Sequence, residues 1–214
     1  MRKGICIGAL AVVVLAAIAW RLTLTPEYLC LTGDAKTKRD VILFLKHKAP
    51  WRARRLLAGL VHDPDLKVRI SAIACIRVLD LKELSPIVSA LARRDDQVLV
   101  RAQAIESLAV LDPADAAPVV LAGLDDTEPN IRIGSLLAVK RGVEAPREKL
   151  IAMLKDGDSR VREAALEVAV HLRLEEAVPI LKEDMETQEL FDVVQALEAL
   201  QKLTGASPVL EKGD

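Results

Sequence analysis

Apolar residues recur along most of this chain in helix-length segments, and four of the segments open with the same polar pair. In each pair an aspartate is followed six residues later by an arginine. The pairs are Asp63/Arg69, Asp95/Arg101, Asp126/Arg132 and Asp156/Arg162. Their arginines lie 32, 31 and 30 residues apart, which is about the length of two short helices with their turns. This spacing predicts a stacked array of similar units.

The positions after each pair form one apolar stripe. If the residue before the arginine is position 0, then positions 0, 5 and 8 are apolar in all four segments and position 4 is small. In the third segment these positions hold Ile131, Leu136, Val139 and Ser135. Such offsets follow a period of 3.6 residues, so each segment is predicted to be an amphipathic helix, and the small residue lets a second helix approach closely.

A shorter apolar segment precedes each of these helices and starts near a proline, which a helix tolerates in its first turn. The prolines are Pro50, Pro86, Pro118 and Pro146. Each unit is therefore predicted to be a helical hairpin. The aspartates fall in the turn between the two helices, where a carboxylate can accept N–H bonds at the start of the second helix.

Both ends of the array are degraded. Pro179 opens a fifth unit that keeps the apolar stripe, anchored on Asp192, but has Thr187 and Val193 in place of the pair. A partial unit begins near residue 35, again without the pair. Terminal repeats lack one neighbour, so the loss of a linking pair there is what capping units would show.

Composition agrees with an all-α fold. The chain has 214 residues, of which 51% are hydrophobic, 29% charged and only 2% aromatic. Helices that pack closely need few aromatic residues, whereas a β-sandwich would use many. The formal net charge of −1 gives no global field that would recruit nucleic acid, so no nucleic-acid partner is expected.

The turn written Asp156-Gly157-Asp158-Ser159-Arg160-Val161-Arg162 and its three equivalents resemble those of HEAT-repeat proteins, of the short-repeat type also seen in phycobilisome lyases. The resemblance covers roughly residues 35–203. It implies a right-handed α-solenoid of about five helical hairpins. It also implies a structural ladder in which the four aspartates and four arginines link adjacent hairpins.

The first residues differ from the rest. Arg2 and Lys3 precede a charge-free run of 17 apolar or small residues, 4–20. This is about the shortest helix that spans a membrane and longer than the apolar core of a typical signal peptide, so a retained single-pass anchor is expected. Cleavage near Ala19, which would release a secreted or periplasmic protein, stays open. The flanking charges favour an extracytoplasmic body.

These features give predicted boundaries of 1–21 for the anchor or signal, 22–34 for a linker, 35–204 for the repeat domain and 205–214 for a tail.

Charge is unevenly spread along the chain. Residues 34–55 contain eight Lys and Arg against two Asp, and residues 173–214 contain ten acidic against four basic residues. Contact between the basic end and anionic headgroups is one interpretation, and a solvated face is the other.

Catalytic chemistry has little support in the sequence. His47, His62 and His171 belong to different units, and no cysteine and histidine cluster has zinc spacing. The start of a calcium loop at Asp156 and Asp158 fails because Arg160 occupies a ligand position. We therefore expect no enzymatic activity, no metal, no cofactor and no small-molecule substrate.

The predicted function is a scaffold for protein–protein interaction, whose partner the sequence does not name. Helix phase and the HEAT resemblance place a possible partner surface on the exposed side of the second helices. Its residues are Lys67, Arg77, Glu106, Lys140 and Glu167. The resemblance also implies an alternative, a tetrapyrrole (bilin) lyase or chaperone-like protein. A purely structural spacer is a third interpretation.

Overall fold

The computed structural model describes residues 25–48, 50–187, 191 and 193–205. The chain divides into two compact units, with the boundary between Leu79 and Asp80, and each unit is described by itself. The expected membrane segment, residues 4–20, lies outside the described residues. Within the described ranges, no helix combines the length and apolarity needed to cross a membrane.

The described part of the first unit consists of four helices. They are α1 (Pro26–Thr32), α2 (Ala35–Lys48), α3 (Pro50–Leu60) and α4 (Leu66–Val78). Helices α3 and α4 form a hairpin, and α2 packs against both of them. Helix α1 lies in the segment predicted as a linker, residues 22–34, so that segment is not irregular along its whole length.

The second unit contains four further hairpins. Their helices are α5 (Ser85–Arg94) with α6 (Val98–Leu111), α7 (Pro113–Gly123) with α8 (Pro129–Lys140), α9 (Arg147–Ala152) with α10 (Ser159–His171), and α11 (Val178–Thr187) with α12 (Val193–Thr204). Every regular element in the described ranges is helical. The all-α fold is confirmed, while the right-handed superhelix stays a prediction.

The core follows the stripe that the sequence predicts. Positions 0, 4, 5 and 8 of all four repeats are at most 9% exposed. They are Val68, Ala72, Ile73, Ile76, Val100, Ala104, Ile105, Leu108, Ile131, Ser135, Leu136, Val139, Val161, Ala165, Leu166 and Ala169. Burial of one apolar face per helix supplies most of the free energy that holds such hairpins together.

Second helices of successive hairpins pack on one another in the second unit: α6 on α8, α8 on α10, and α10 on α12. Helices α8 and α6 approach closely at Gly134 of α8, where an added Cβ would lie 2.7 Å from the carbonyl oxygen of Ala102 on α6. A glycine is required there because any side chain would push the two helices apart. This stacking places side chains of three successive second helices on one common surface.

Pro118 does not open a helix, and the sequence prediction is wrong at this position. Helix α7 begins at Pro113, and the carboxylate of Asp112 caps it by accepting the N–H of Asp115 at 3.2 Å. Pro118 lies inside this helix on an exposed position. The missing proline N–H costs one intrahelical hydrogen bond, but the freed carbonyl remains accessible to water.

Candidate functional site

The four Asp/Arg pairs first build the turns of their own hairpins. Each aspartate carboxylate accepts the N–H of the residue two positions further on, at 2.8–2.9 Å. Each arginine Nη1 donates to the backbone carbonyl of its own aspartate. These N–O distances are 2.8 Å for Arg69 to Asp63, Arg101 to Asp95 and Arg132 to Asp126, and 2.9 Å for Arg162 to Asp156. The pairs thus satisfy backbone groups that the turn would otherwise leave unbonded.

One pair also links two hairpins, as a ladder requires. Arg132 on α8 donates from Nε and Nη2 to the carboxylate of Asp156, in the turn before α10, at 2.8 and 2.7 Å. The two side chains are 15% and 13% exposed. Burial alone would raise the pKa of Asp156, but hydrogen bonds from Arg132 and from the N–H of Asp158 hold that pKa below its ordinary value.

The ladder is uneven elsewhere. In the first unit Lys38 on α2 occupies the arginine role and donates to Asp63 at 2.6 Å. In the second unit Arg101 and Asp126 are each bonded within their own turns, and no ion pair joins them. Both side chains line an open depression of about 370 Å³. The HEAT resemblance implied that every pair links adjacent hairpins, and at this step that expectation is wrong, because Arg101 and Asp126 are bonded only within their own turns among the described residues.

The predicted partner surface is largely engaged within the chain. Lys140 and Glu167 meet across α8 and α10, with a distance of 2.9 Å from Nζ to Oε2. Glu106 was predicted to be exposed, and this prediction is wrong because the residue is buried. Its carboxylate pairs with the guanidinium of Arg141 at 2.9 Å. Its second oxygen accepts a hydrogen bond from Gln103 at 3.3 Å.

The remaining two predicted residues, Lys67 and Arg77, belong to the first unit. Lys67 is exposed in the first turn of α4, and Arg77 is half-buried in its last turn.

A shallow groove of about 470 Å³ runs along the second helices of the second unit, and we call it the second-helix groove. It is lined by residues from α8, α10 and α12: Lys140, Glu163, Leu166, Glu167, Val170, His171, Gln195, Glu198, Ala199 and Lys202. Leu166, Val170 and Ala199 form an apolar floor, and the long polar side chains form the rims. None of these ten residues is phenylalanine, tyrosine or tryptophan, which does not favour a tetrapyrrole.

The rims of the groove carry both paired and unpaired groups. Lys140 pairs with Glu167, and Lys202 lies 3.6 Å from Glu198 on the same helix. Among the described residues, Glu163 makes no hydrogen bond or ion pair. The groove therefore presents a carboxylate beside an apolar floor, an arrangement that can accept a basic residue and bury apolar side chains next to it.

Sequence reasoning missed most of the groove, including Glu163 and its neighbour His171. The helical period could have identified both, since Glu163, Val170 and His171 fall on the same side of α10 as the predicted Glu167.

The described residues contain no group of three or more His, Cys, Asp or Glu side chains arranged to hold a metal ion. The arrangement is suited to holding another chain.

Comparison with known proteins agrees with the hairpin geometry. Residues 53–140 match the family model of HEAT repeats. The match covers α4 to α8 and three of the four Asp/Arg pairs, and it carries no description of lyase activity. No curated protein matches the chain significantly. The hairpins, the repeated turns and the family match agree, so residues 53–140 of this chain are HEAT repeats.

Proposed function

We propose that this protein is a scaffold that binds a partner protein in the second-helix groove. The observation that carries the proposal is the groove itself, with its apolar floor and the carboxylate of Glu163, which has no partner within the described part of the chain. HEAT repeats support the general class, because stacked hairpins present an extended surface to other chains. The proposal is one of binding and not of catalysis.

The partner segment that fits best is an amphipathic helix or an extended loop. Its apolar side chains would pack on Leu166, Val170 and Ala199, and a lysine or arginine would bond to Glu163. Helices that lie in such grooves use anchors spaced three or four residues apart. The volume of about 470 Å³ is within the range of ligand sites in general, about 300–1,000 Å³.

We further propose that residues 4–20 keep the scaffold at a membrane with its body outside the cytoplasm. The support is the charge-free apolar run in the sequence and the basic residues before it. Mature protein that begins at Trp20 would refute the retained anchor and favour an exported form. Protease accessibility of the repeats in sealed vesicles would decide the side.

The binding proposal is tested by affinity capture from native membranes with three forms of the full chain. The wild type is compared with Glu163→Lys, which reverses the groove charge, and with Glu148→Lys, which makes the same change at an exposed position of α9. We expect one stoichiometric partner with the wild type and with Glu148→Lys, and its loss with Glu163→Lys. Capture that is identical for all three forms would refute the groove as the binding site.

A structural spacer would give no stoichiometric partner with any form. Circular dichroism melting curves of the three proteins provide the folding control. Because both substitutions are at surface positions, their midpoints should agree closely.

A further inference from the structure

The boundary between the two compact units is also a boundary of charge. Residues 1–79 contain 14 Lys and Arg against five Asp and Glu, whereas residues 80–214 contain 16 against 26. The overall charge of −1 therefore hides a unit of +9 and a unit of −10. A strongly basic unit attracts an anionic surface, and a strongly acidic unit is repelled by it.

Helix α2 of the basic unit has an unusual outer face. Leu43 and Phe44 are adjacent, large and apolar, yet 58% and 46% exposed. Lys36 and Lys46 are exposed near them, and Arg39 keeps 36% of its side chain exposed. Asp40 is the acid of α2 on this face, and Arg39 pairs with Asp65 at 3.9 Å, so Lys36 and Lys46 are the cations through which this face can bind an anion. An apolar centre flanked by lysine and arginine is the pattern of helices that lie in the headgroup region of a membrane.

The opposite face of α2 explains why this outer face is not part of the core. Val41, Ile42 and Leu45 are at most 5% exposed and pack into the first unit. Helix α2 thus has one apolar face that the fold uses and a second apolar patch that the fold leaves uncovered. Contiguous exposed apolar residues in a soluble domain indicate an interaction site.

The chain length permits contact between α2 and the membrane that residues 4–20 are proposed to enter. Fourteen residues separate position 20 from the first residue of α2, and seven of them are helical in α1. Seven helical and seven extended residues reach at most about 35 Å. Helix α2 is therefore held close to the bilayer surface, and its net positive face is complementary to anionic headgroups.

We infer that the outer face of α2 docks on an anionic lipid surface, with Leu43 and Phe44 inserted among the headgroups and Lys36 and Lys46 bonded to lipid phosphates. The inference rests on the proposed membrane location and adds to it a fixed orientation, with the basic unit on the membrane. The same face could otherwise contact a second copy of the chain, and the experiment separates the two.

The experiment places an environment-sensitive fluorophore on a cysteine in the full chain. Leu43→Cys is the probe on α2, and Val194→Cys is the matched control in the acidic unit, since Val194 is apolar and 61% exposed. Cys6→Ser and Cys30→Ser remove competing thiols. Cys75 is left in place, because burial raises its pKa to about 11 and keeps it unreactive at neutral pH.

The protein is reconstituted with vesicles of phosphatidylcholine alone or of phosphatidylcholine with phosphatidylglycerol, and flotation measures association separately. We expect a blue shift of the probe at position 43 with the anionic vesicles and a smaller shift or none with neutral ones. The probe at position 194 should not shift. Lys36→Glu with Lys46→Glu, two exposed substitutions, should abolish the shift at position 43 while flotation persists.

Four results would overturn the inference. Flotation without a shift at position 43 refutes the docked face alone, whereas loss of flotation refutes the membrane location as well. Equal shifts at positions 43 and 194 indicate unspecific adsorption. A shift at position 43 that grows with protein concentration in the absence of vesicles assigns the face to self-association instead.

Discussion

Replacing Arg132 with alanine is expected to destabilise the second unit by more than the loss of one turn contact. The guanidinium bonds to the carboxylate of Asp156 through Nε and Nη2 and to the carbonyls of Asp126 and Thr127 through Nη1. Alanine removes all of these bonds. Asp156, which is 13% exposed, would keep the N–H of Asp158 as a donor but lose its counter-ion.

The magnitude follows from two contributions. Losing the bonds from a charged donor to the turn carbonyls costs about 1–2 kcal/mol of unfolding free energy. Removing one partner of a fully buried ion pair costs about 3–5 kcal/mol, and partial exposure of this pair reduces that to about 2–3 kcal/mol. The expected loss for Arg132→Ala is therefore about 3–5 kcal/mol, a large part of the stability of an ordinary domain.

Arg101→Ala supplies an internal control, because the repeat provides the same turn without the inter-hairpin pair. Arg101 bonds to the carbonyl of Asp95 at 2.8 Å, as Arg132 does to that of Asp126, but no ion pair joins it to Asp126. We expect Arg101→Ala to cost only about 1–2 kcal/mol. Urea unfolding followed by circular dichroism measures both variants, and Asp156→Ala with Arg132→Ala completes a double-mutant cycle.

The effect should also depend on pH. The pKa of Asp156 is lowered in the folded protein. The ionised carboxylate therefore makes its full contribution to the free energy of unfolding above its unfolded pKa, about 3.9. That contribution is lost as the pH falls through the lower pKa of the folded state. The difference between wild type and Arg132→Ala should thus be constant from neutral pH to about 5 and shrink in stronger acid. Equal losses for Arg101→Ala and Arg132→Ala, or a coupling energy below about 0.5 kcal/mol, would refute the reasoning.

Two glycines and one cysteine give further predictions. Gly134→Ala should destabilise by about 1–3 kcal/mol in urea unfolding, because the added methyl meets the backbone of Ala102. Gly59→Ala, in helix α3 with nothing within 4 Å, should instead stabilise by about 0.5–1 kcal/mol; the opposite sign for either would contradict the packing described. Cys75 is 3% exposed, so thiol titration at neutral pH should leave it unmodified until the protein is unfolded, and rapid modification in native buffer would disprove its burial.

The periodicity of the chain carried enough information to predict the helices and their buried faces. The helical period assigns each residue to the apolar or the polar face of its own helix, so the buried positions can be read from the sequence of that helix. The turn carboxylates were predictable for the same reason, because an aspartate bonds to an N–H only two residues away. Contacts between helices were not predictable in this way.

The step from Arg101 to Asp126 shows why. Its residue types are the same as those of the step from Arg132 to Asp156, and its sequence separation is 25 residues against 24, yet one pair is joined and the other is not. The outcome depends on the distance and angle between two hairpins, which the packing of many side chains decides. Likewise, the buried Glu106 accepts a hydrogen bond from Arg141, which directly follows α8, a contact between residues 35 positions apart.

The side chains that hold the second unit together also limit where a partner can bind. A partner that bonded to Glu167 would displace Lys140, which lies 2.9 Å away. The partner's binding free energy would then include only the difference between the new contact and the lost one. Glu163 makes no such contact within the described residues, so a basic partner group gains its full bond there. The equivalent positions on the two preceding second helices hold Ala102 and Ile133. A partner selected by Glu163 should therefore bind at α10 alone, and a shift by one repeat would leave its basic group without an acceptor.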